Sequence, residues 1–475
     1  MPFSSSLFIH AFLPLFFVAY GLTPKALKNW TAIVFSCVFY AWGAPRFLPV
    51  VLILAVVDYF LSRAIATAVD AEHRARAKGL LIFGVVLHLG ILAYFKYSNF
   101  FVAQLNEVLE IFHLRPSKWT DVVLPIGISF ITFEQLSYLI DVYRKDAKPS
   151  RKLSHYVLFL TFFPHAIAGP IFRWKDLEKQ LSERTHSWTL VREGFERFTL
   201  GLAKKVLLAD SIAIIADGVF ALPEAQLSPK LAWLGAIAYS LQIYFDFSGY
   251  SDMAIGLGKL AGFQFKENFK QPYVSASITE FWQRWHISLS SWLRDYLYIP
   301  LGGNRVSKNR ALANIVIVFT LSGLWHGAAW TFVVWGLFHG VLVAAERVLS
   351  KQAWRPPAFV KHVLTLTLVI VGWVFFRAPT VTAALAVLRA MFGKAALEPA
   401  HPFRAELYPN FAVCALVVGA SFTLLAIIRK NAAAPDPEKP RALDYLRKAV
   451  MPLLFVLAAV HLTNARVSPL IYFKF

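Results

Sequence analysis

The sequence predicts an all-α polytopic membrane protein of about eleven or twelve transmembrane helices, with interfacial and re-entrant segments around an enclosed cavity. Three observations predict it. Of 475 residues, 57% are hydrophobic and 15% aromatic while only 16% are charged, a balance too apolar for an ordinary soluble domain. The apolar residues gather into runs near the length a helix needs to cross ~30 Å of hydrocarbon. From Phe195 onward the runs are interrupted by charges, which membrane depth accommodates only where protein or a water-lined cavity surrounds them.

Apolar runs at Leu7–Leu22, Trp30–Trp42, Phe47–Phe60, Leu80–Tyr94, Val122–Ile140 and Tyr156–Phe172 give the first six spans. The first lacks a basic leader and a small-residue cleavage site, so it is expected to be retained. Every second loop is basic. Lys25 and Lys28 occupy the first, Arg63, Arg74, Arg76 and Lys78 the third, and Arg144, Lys145, Lys148, Arg151 and Lys152 the fifth. This asymmetry puts those loops in the cytoplasm and the N-terminus outside. It also explains the net charge of +20 without nucleic acid, because the basic residues flank spans instead of forming a tail or stripe. Cys37 and Cys414 both lie in apolar runs far apart, which suits buried thiols in lipid-facing helices better than a disulfide or a metal site.

The segment Phe195–Phe220 carries Lys204, Lys205, Asp210 and Asp217 among apolar residues, long enough to enter the bilayer but too polar to face lipid throughout. Clean runs resume at Leu231–Phe245, Ile315–Val343 (long enough for a turn or two helices), Val363–Phe376, Phe411–Ile428 and Met451–Leu462. Glu178–Arg192 and Asn431–Asp444 read as surface loops. No linker marks off a soluble domain, so residues 1–475 are expected to form one membrane-embedded domain, and no internal repeat is evident.

Residues 242–340 carry the chemistry. Within Thr279–Tyr298, Trp282, Trp285, Leu289, Trp292 and Tyr296 recur every three or four positions, while Gln283, Arg284, His286, Arg294 and Asp295 supply polar groups. The pattern predicts an amphipathic interfacial helix with tryptophan at headgroup level; His286 does not belong to a simple anchor. His326 stands in a stretch without charge from Ala311 to Ala345. A histidine there is either a hydrogen-bonded structural group or a neutral proton acceptor. Ser322, Gly323, Gly327, Ala328 and Ala329 would let another chain or a ligand approach the helix closely. His339, thirteen positions further on, fits no metal-ligand spacing and reads as structural. Asp246, Ser248, Tyr250, Ser251 and Asp252 either line the cavity and orient His326 or make helix–helix contacts.

WQRWHISLSSWLRDYLYIPLGGNR followed by GLWHGAAWTFVVWGLFHG resembles the signature of the membrane-bound O-acyltransferase family, in its bacterial alginate O-acetyltransferase-like branch. The resemblance extends to FSSSLFIHAFLPLFF, PIGISFITFEQLSYLIDVYR, FFPHAIAGPIFR, FDFSGYSDMAIGLGKLAGF, GWVFFRA and the terminal SPLIYFKF, so it covers nearly the whole chain.

The resemblance implies a funnel across the membrane, with His326 as catalytic base and His286 as the first marker position, contributing to the donor tunnel or to positioning. It implies donor contacts from Trp325, Arg284, Asp246, Ser248 and Asp252. Arg173 would meet donor phosphates at the cytoplasmic mouth, and His165 would be structural. The C-terminal segment 463–475, ending Ile471-Tyr472-Phe473-Lys474-Phe475, resembles a tyrosine motif that accepts an acyl group; an interfacial anchor is the alternative. The expected reaction moves an acetyl group from a cytoplasmic thioester, acetyl-CoA, outward for O-acetylation of an extracytoplasmic polysaccharide, with no bound cofactor and no metal. A separate serine-esterase-like acetyltransferase subunit and a polymer secretion complex are the expected partners, in a bacterial inner membrane. A polysaccharide or lipid transporter, or a non-catalytic scaffold, would share the polar cavity; the first predicts repeat symmetry, and the second tolerates loss of His326.

Overall fold

The computed structural model describes residues 1–167, 169–349, 356–393, 409–430 and 442–464. Every regular element among them is helical. Most of the expected loop at Asn431–Asp444 and nearly all of the segment 463–475, including Tyr472, lie outside the described residues. The chain divides into two compact units, Met1–Gly194 with Leu257–Phe265, and Phe195–Gly256 with Lys266–Phe475.

In the first unit a π-helical turn, Phe8–Phe12, runs into α1 (Leu13–Leu22), followed by α2 (Lys28–Gly43), α3 (Leu48–Asp70), α4 (Arg74–Ile111), α5 (Ile128–Tyr143), α6 (Leu153–Thr161) and α7 (Trp174–Ser182). Pro49 sits in the first turn of α3, where its missing N–H leaves no bond unmade. The 38 residues of α4 extend about 57 Å at 1.5 Å per residue, beyond the ~30 Å hydrocarbon layer. Phe3, Phe8, Phe16 and Phe163 pack as a ring cluster, with centroids 4.9 Å apart for Phe3 and Phe8 and 5.0 Å for Phe16 and Phe163. Asp58 on α3 is fully buried and accepts from three other helices: His88 Nε2 at 2.7 Å, Gln135 Nε2 at 2.8 Å and Tyr156 OH at 3.0 Å. A buried carboxylate is costly unless its lone pairs are used, and here four helices share one.

The expected loop Glu178–Arg192 is largely helical, with only 183–187 left between α7 and α8 (Trp188–Ala203). The reason is amphipathicity: Trp174, Leu177 and Leu181 bury one face of α7. The second unit continues through a π-helical segment (Lys204–Ala209), α9 (Asp210–Phe220), α10 (Pro229–Leu260), α11 (Ile278–Arg284), α12 (Ile287–Leu293), α13 (Lys308–His326), α14 (Trp330–Leu349), α15 (Ala358–Arg377), α16 (Val381–Met391), α17 (Asn410–Lys430) and α18 (Ala442–Asn464). Cys37 on α2 and Cys414 on α17 are free thiols, the first half-buried and the second exposed on the protein surface.

Among the described residues, α3, α4, α14 and α15 are long and apolar enough to cross a membrane, and Phe8–Leu22, Val381–Met391, Asn410–Ala426 and Val450–Thr463 are shorter apolar helices. The expected eleven or twelve spans also draw on shorter helices, such as α2 and α5 with 16 residues each. Ile315–Val343 is two helices, α13 and α14, packed on each other through glycine: a Cβ placed on Gly336 would lie 3.1 Å from the Gly323 Cα.

Thr279–Tyr298 is not the single amphipathic helix its periodicity suggested. It breaks into α11, α12 and a π-helical turn, Arg294–Tyr298, with His286 at the break in left-handed backbone (φ +44). α11 opens on a cap related to the capping box: Ser277 Oγ accepts from Glu280 N at 3.0 Å, and the Glu280 carboxylate reaches past the cap to accept Ala276 N at 2.9 Å. α12 starts where the loop residue Asn268 captures the chain. The Asn268 carbonyl accepts Ile287 N at 3.0 Å, and Asn268 Oδ1 accepts Ser288 N at 3.1 Å.

Candidate active site

His326 is the last residue of α13 and is 5% exposed. Gly327 follows in extended backbone and ends the helix. The imidazole is walled by rings from three helices: Trp325 at 4.9 Å, Trp335 of α14 at 5.1 Å and Phe376 of α15 at 5.3 Å. All three contacts are edge-to-face, the arrangement the ring quadrupoles prefer. The wall continues through Trp373 and through His339, which takes the Trp282 indole N–H at 3.4 Å, in keeping with the structural reading of that histidine.

His286 is fully buried. Its ring packs on Phe247 of α10 at 4.8 Å and lies 6.5 Å from Trp325, so the Trp325 indole neighbours both histidines expected at the site. Burial pushes the His286 imidazolium down to about 3, which keeps the ring neutral at physiological pH. Left-handed backbone costs a non-glycine residue of order 1–3 kcal/mol and persists where the surroundings enforce it; here the Asn268 bonds do so.

The acidic residues of α10 bind cations on the helix they cross. Lys205 Nζ lies 2.7 Å from Asp246 Oδ1 and 2.6 Å from Asp210 Oδ1, while Asp252 holds Arg197 and Lys204, each at 2.7 Å. Between these clusters the backbones of α8 and α10 approach so closely that a Cβ on Gly249 would lie 2.8 Å from the Gly201 carbonyl oxygen. Asp246 and Asp252 thus form ion pairs across the helix–helix contact, and Ser248 is buried on the same helix. Arg284 pairs with Glu280 at 2.9 Å and donates to the Lys270 carbonyl at 3.1 Å. Arg173, half-buried, immediately precedes α7 in the first unit, and in the same unit His165 pairs with buried Glu134 at 3.2 Å. The structure thus brings together His286, Trp325 and His326, and gives Arg284, Asp246 and Asp252 partners of their own.

A cavity of about 990 Å³ lies in the second unit among α11 to α15. Its walls are mainly apolar, with Leu289, Ile315, Phe319 and Leu368 among them, and Ser322, one turn before His326, also lines it. Arg294, Arg347, Lys361 and Glu346 line it as well. Glu346 is spent on the start of α11, accepting Ile278 N at 3.1 Å and Thr279 N at 2.9 Å. Glu280 also lines it and is held by Arg284 at 2.9 Å, while Arg294 pairs with Asp295 at 2.7 Å, which leaves Arg347 and Lys361 as the cations of the lining outside these pairs. Of the residues expected at the site, the eight that lie among the described residues do not border this cavity. Among the described residues no group of three or more His, Cys, Asp or Glu converges as a metal site would require.

Sequence reading missed Asn268, Phe247, Trp335 and Phe376. The last two stand in motifs whose tryptophans and phenylalanines looked like core, and Asn268 sits in a polar stretch, KENFKQPY, with no periodicity to mark it.

Comparison with known proteins gives a consistent picture. Residues 131–382 match the family model described as MBOAT, membrane-bound O-acyltransferase family. A probable alginate O-acetylase AlgI of Pseudomonas putida is 44% identical over 491 aligned residues, covering all of both chains. A peptidoglycan O-acetyltransferase of Helicobacter pylori is 33% identical over 533 residues, covering all of this chain and 97% of that one. A teichoic acid D-alanyltransferase of Bacillus subtilis is 30% identical over 249 residues, 49% of this chain and 62% of that protein.

Proposed function

The chain belongs to the membrane-bound O-acyltransferase family, and from that premise we propose that it moves an acetyl group from cytoplasmic acetyl-CoA across a bacterial inner membrane for O-acetylation of a cell-surface polysaccharide. One observation carries the reading beyond the family: His326 sits buried in a cage of rings, one turn beyond Ser322 on the wall of a large apolar cavity with cationic residues in its lining. A phosphorylated, thioester-bearing donor has that character, an anionic head on a long, weakly polar arm.

In the proposed reaction His326 takes the proton of an acceptor hydroxyl as its oxygen attacks the thioester carbonyl. The C–S bond breaks, and the leaving thiolate recovers the proton from the imidazolium as free thiol. Tyr472 is the proposed first acceptor. A phenol with a pKa of about 10 is a weak nucleophile until a base assists it, so the tyrosine and the histidine depend on each other. The relatives named for alginate and peptidoglycan support a glycan as final acceptor. A separate extracytoplasmic acetyltransferase subunit, working with a polymer-secretion complex, would complete the transfer to sugar hydroxyls. The basic first, third and fifth loops support a cytoplasmic donor side.

The test is transfer of labelled acetyl from acetyl-CoA to the purified protein, with any adduct located by peptide mass spectrometry. Label on Tyr472 that is lost in Tyr472→Phe and in His326→Ala supports the relay. Acetyl-CoA turnover without label on Tyr472 removes the covalent step, and absence of turnover with the extracytoplasmic partner present removes the donor assignment.

A further inference from the structure

We infer that Asn268 is the positioning residue of His286, holding its ring in the tautomer that carries the proton on Nδ1 and the lone pair on Nε2. The inference rests on the acyl-transfer reading for its consequence, but not for its geometry.

The orientation of the Asn268 amide is settled by a group that can only donate. Ser288 N lies 3.1 Å from the Asn268 atom assigned as Oδ1. A flipped amide would set an NH2 against a backbone N–H, so that atom must be the oxygen. The Ser288 hydroxyl donates to the same oxygen at 2.9 Å. His286 Nδ1 lies 3.2 Å from it and 3.5 Å from Ser288 Oγ. An unprotonated Nδ1 would press its lone pair against the amide oxygen, whereas a protonated one donates to it. With the ring neutral, Nε2 is left as the proton acceptor.

The backbone enforces the same placement. Asn268 is fully buried, its carbonyl accepts Ile287 N at 3.0 Å, and His286 between these bonds has φ +44. One asparagine therefore fixes the backbone, the ring orientation and the tautomer of a histidine packed against Phe247 and facing Trp325 at 6.5 Å. A purely structural asparagine at a helix start needs only the backbone bonds. The contact to Nδ1 is the additional feature, and it determines which ring nitrogen can accept a proton from, or a hydrogen bond to, a reacting group.

The test reads the tautomer directly. The full-length protein is labelled with ¹⁵N-histidine, and the His286 signals are assigned by their loss in His286→Gln from among 13 histidines. A protonated Nδ1 and an unprotonated Nε2 in wild type, giving way to a mixture in Asn268→Ala, is the expected result. The opposite tautomer, or a ring unmoved by Asn268→Ala, overturns the inference. Where Asn268→Ala fails to fold, the wild-type spectrum and Ser288→Ala, which removes only one of the bonds to Oδ1, still decide it. Acetyl-CoA turnover is followed in parallel, with a fall in kcat on the order of tenfold to a hundredfold expected in a folded Asn268→Ala protein, as misplaced catalytic groups give. The predicted tautomer in a protein without turnover would sink the acetyl-CoA reading and leave the positioning geometry standing. The opposite tautomer in an active protein would do the reverse.

Discussion

The imidazole of His326 and the indole of Trp335 meet edge to face, with centroids 5.1 Å apart and planes perpendicular. That contact restricts how far the imidazole can turn and keeps one side of it dry. Replacing His326 by alanine should lower acyl transfer by ~10²–10⁴-fold, the usual contribution of a general base, while leaving the thermal transition in detergent close to wild type. Trp335→Phe keeps a ring against His326 and should retain most activity. Trp335→Ala should lower both activity and stability, because a fully buried tryptophan reduced to alanine costs about 3–5 kcal/mol. Full activity in His326→Ala would exclude it as the base.

Close packing of α13 on α14 makes a second prediction. A side chain on Gly336 would press on the Gly323 Cα and on the Thr320 Cα, both within 3.1 Å. Gly336→Val should therefore separate the helices that carry His326 and Trp335, at a cost of about 1–3 kcal/mol, the range for overpacking. Differential scanning fluorimetry and acetyl-CoA turnover should fall together. Loss of turnover with an unchanged melting temperature would mean that the glycine serves the chemistry directly.

The buried ion pair of Lys205 and Asp246 predicts a non-additive mutant cycle. Both side chains are almost wholly buried, so Lys205→Met takes from Asp246 its buried cation in low dielectric, while Asp246→Asn leaves Lys205 with Asp210 alone, 2.6 Å away. Lys205→Met or Asp246→Asn alone should cost about 3–5 kcal/mol, and the double variant should be more stable than the sum of the two. Additive losses on denaturant titration would show that the pair contributes nothing as a pair.

His286 gives the protein a pH-dependent stability of predictable sign. Its folded pKa is about 3 against ~6.5 in an unfolded chain, so between those values the unfolded state binds a proton that the native state refuses. The stability is fully present above pH ~6.5 and is lost as the pH falls toward 3, by up to ~1.4 kcal/mol per pH unit. Melting temperatures measured from pH 7.5 to 5 should fall more steeply for wild type than for His286→Asn. Parallel curves would place the acid sensitivity elsewhere.

The features legible in the sequence are those written locally. Hydropathy marked α3, α4 and α15, and the length of the run Ile315–Val343 left room for the two helices α13 and α14. The break at His286 was not legible, because tryptophans at helical spacing say nothing of Asn268, eighteen positions earlier, capturing the chain there. Asp246 and Asp252 were recognised as intramembrane charges, but their partners Lys205, Lys204 and Arg197 come from a neighbouring helix and are fixed only by the glycine crossing. The Asp58–His88 pair went unread for a similar reason: each residue is a single polar position inside an otherwise clean span, and only the fold brings four helices to that carboxylate.

Lys361 tests whether the donor approaches through the large cavity. It stands in the first turns of α15 and lines a cavity whose neighbouring carboxylate Glu346 is spent on the backbone of α11. A donor carrying phosphates would gain from Lys361 on binding and keep that gain at the transition state, so charge reversal should weaken donor binding without slowing chemistry. Lys361→Glu should raise the KM for acetyl-CoA about tenfold, the effect of roughly 1.4 kcal/mol, with kcat little changed. Raising the ionic strength should narrow the gap between variant and wild type by screening the charge. An unchanged KM in a folded Lys361→Glu protein would mean that the donor takes another route to His326.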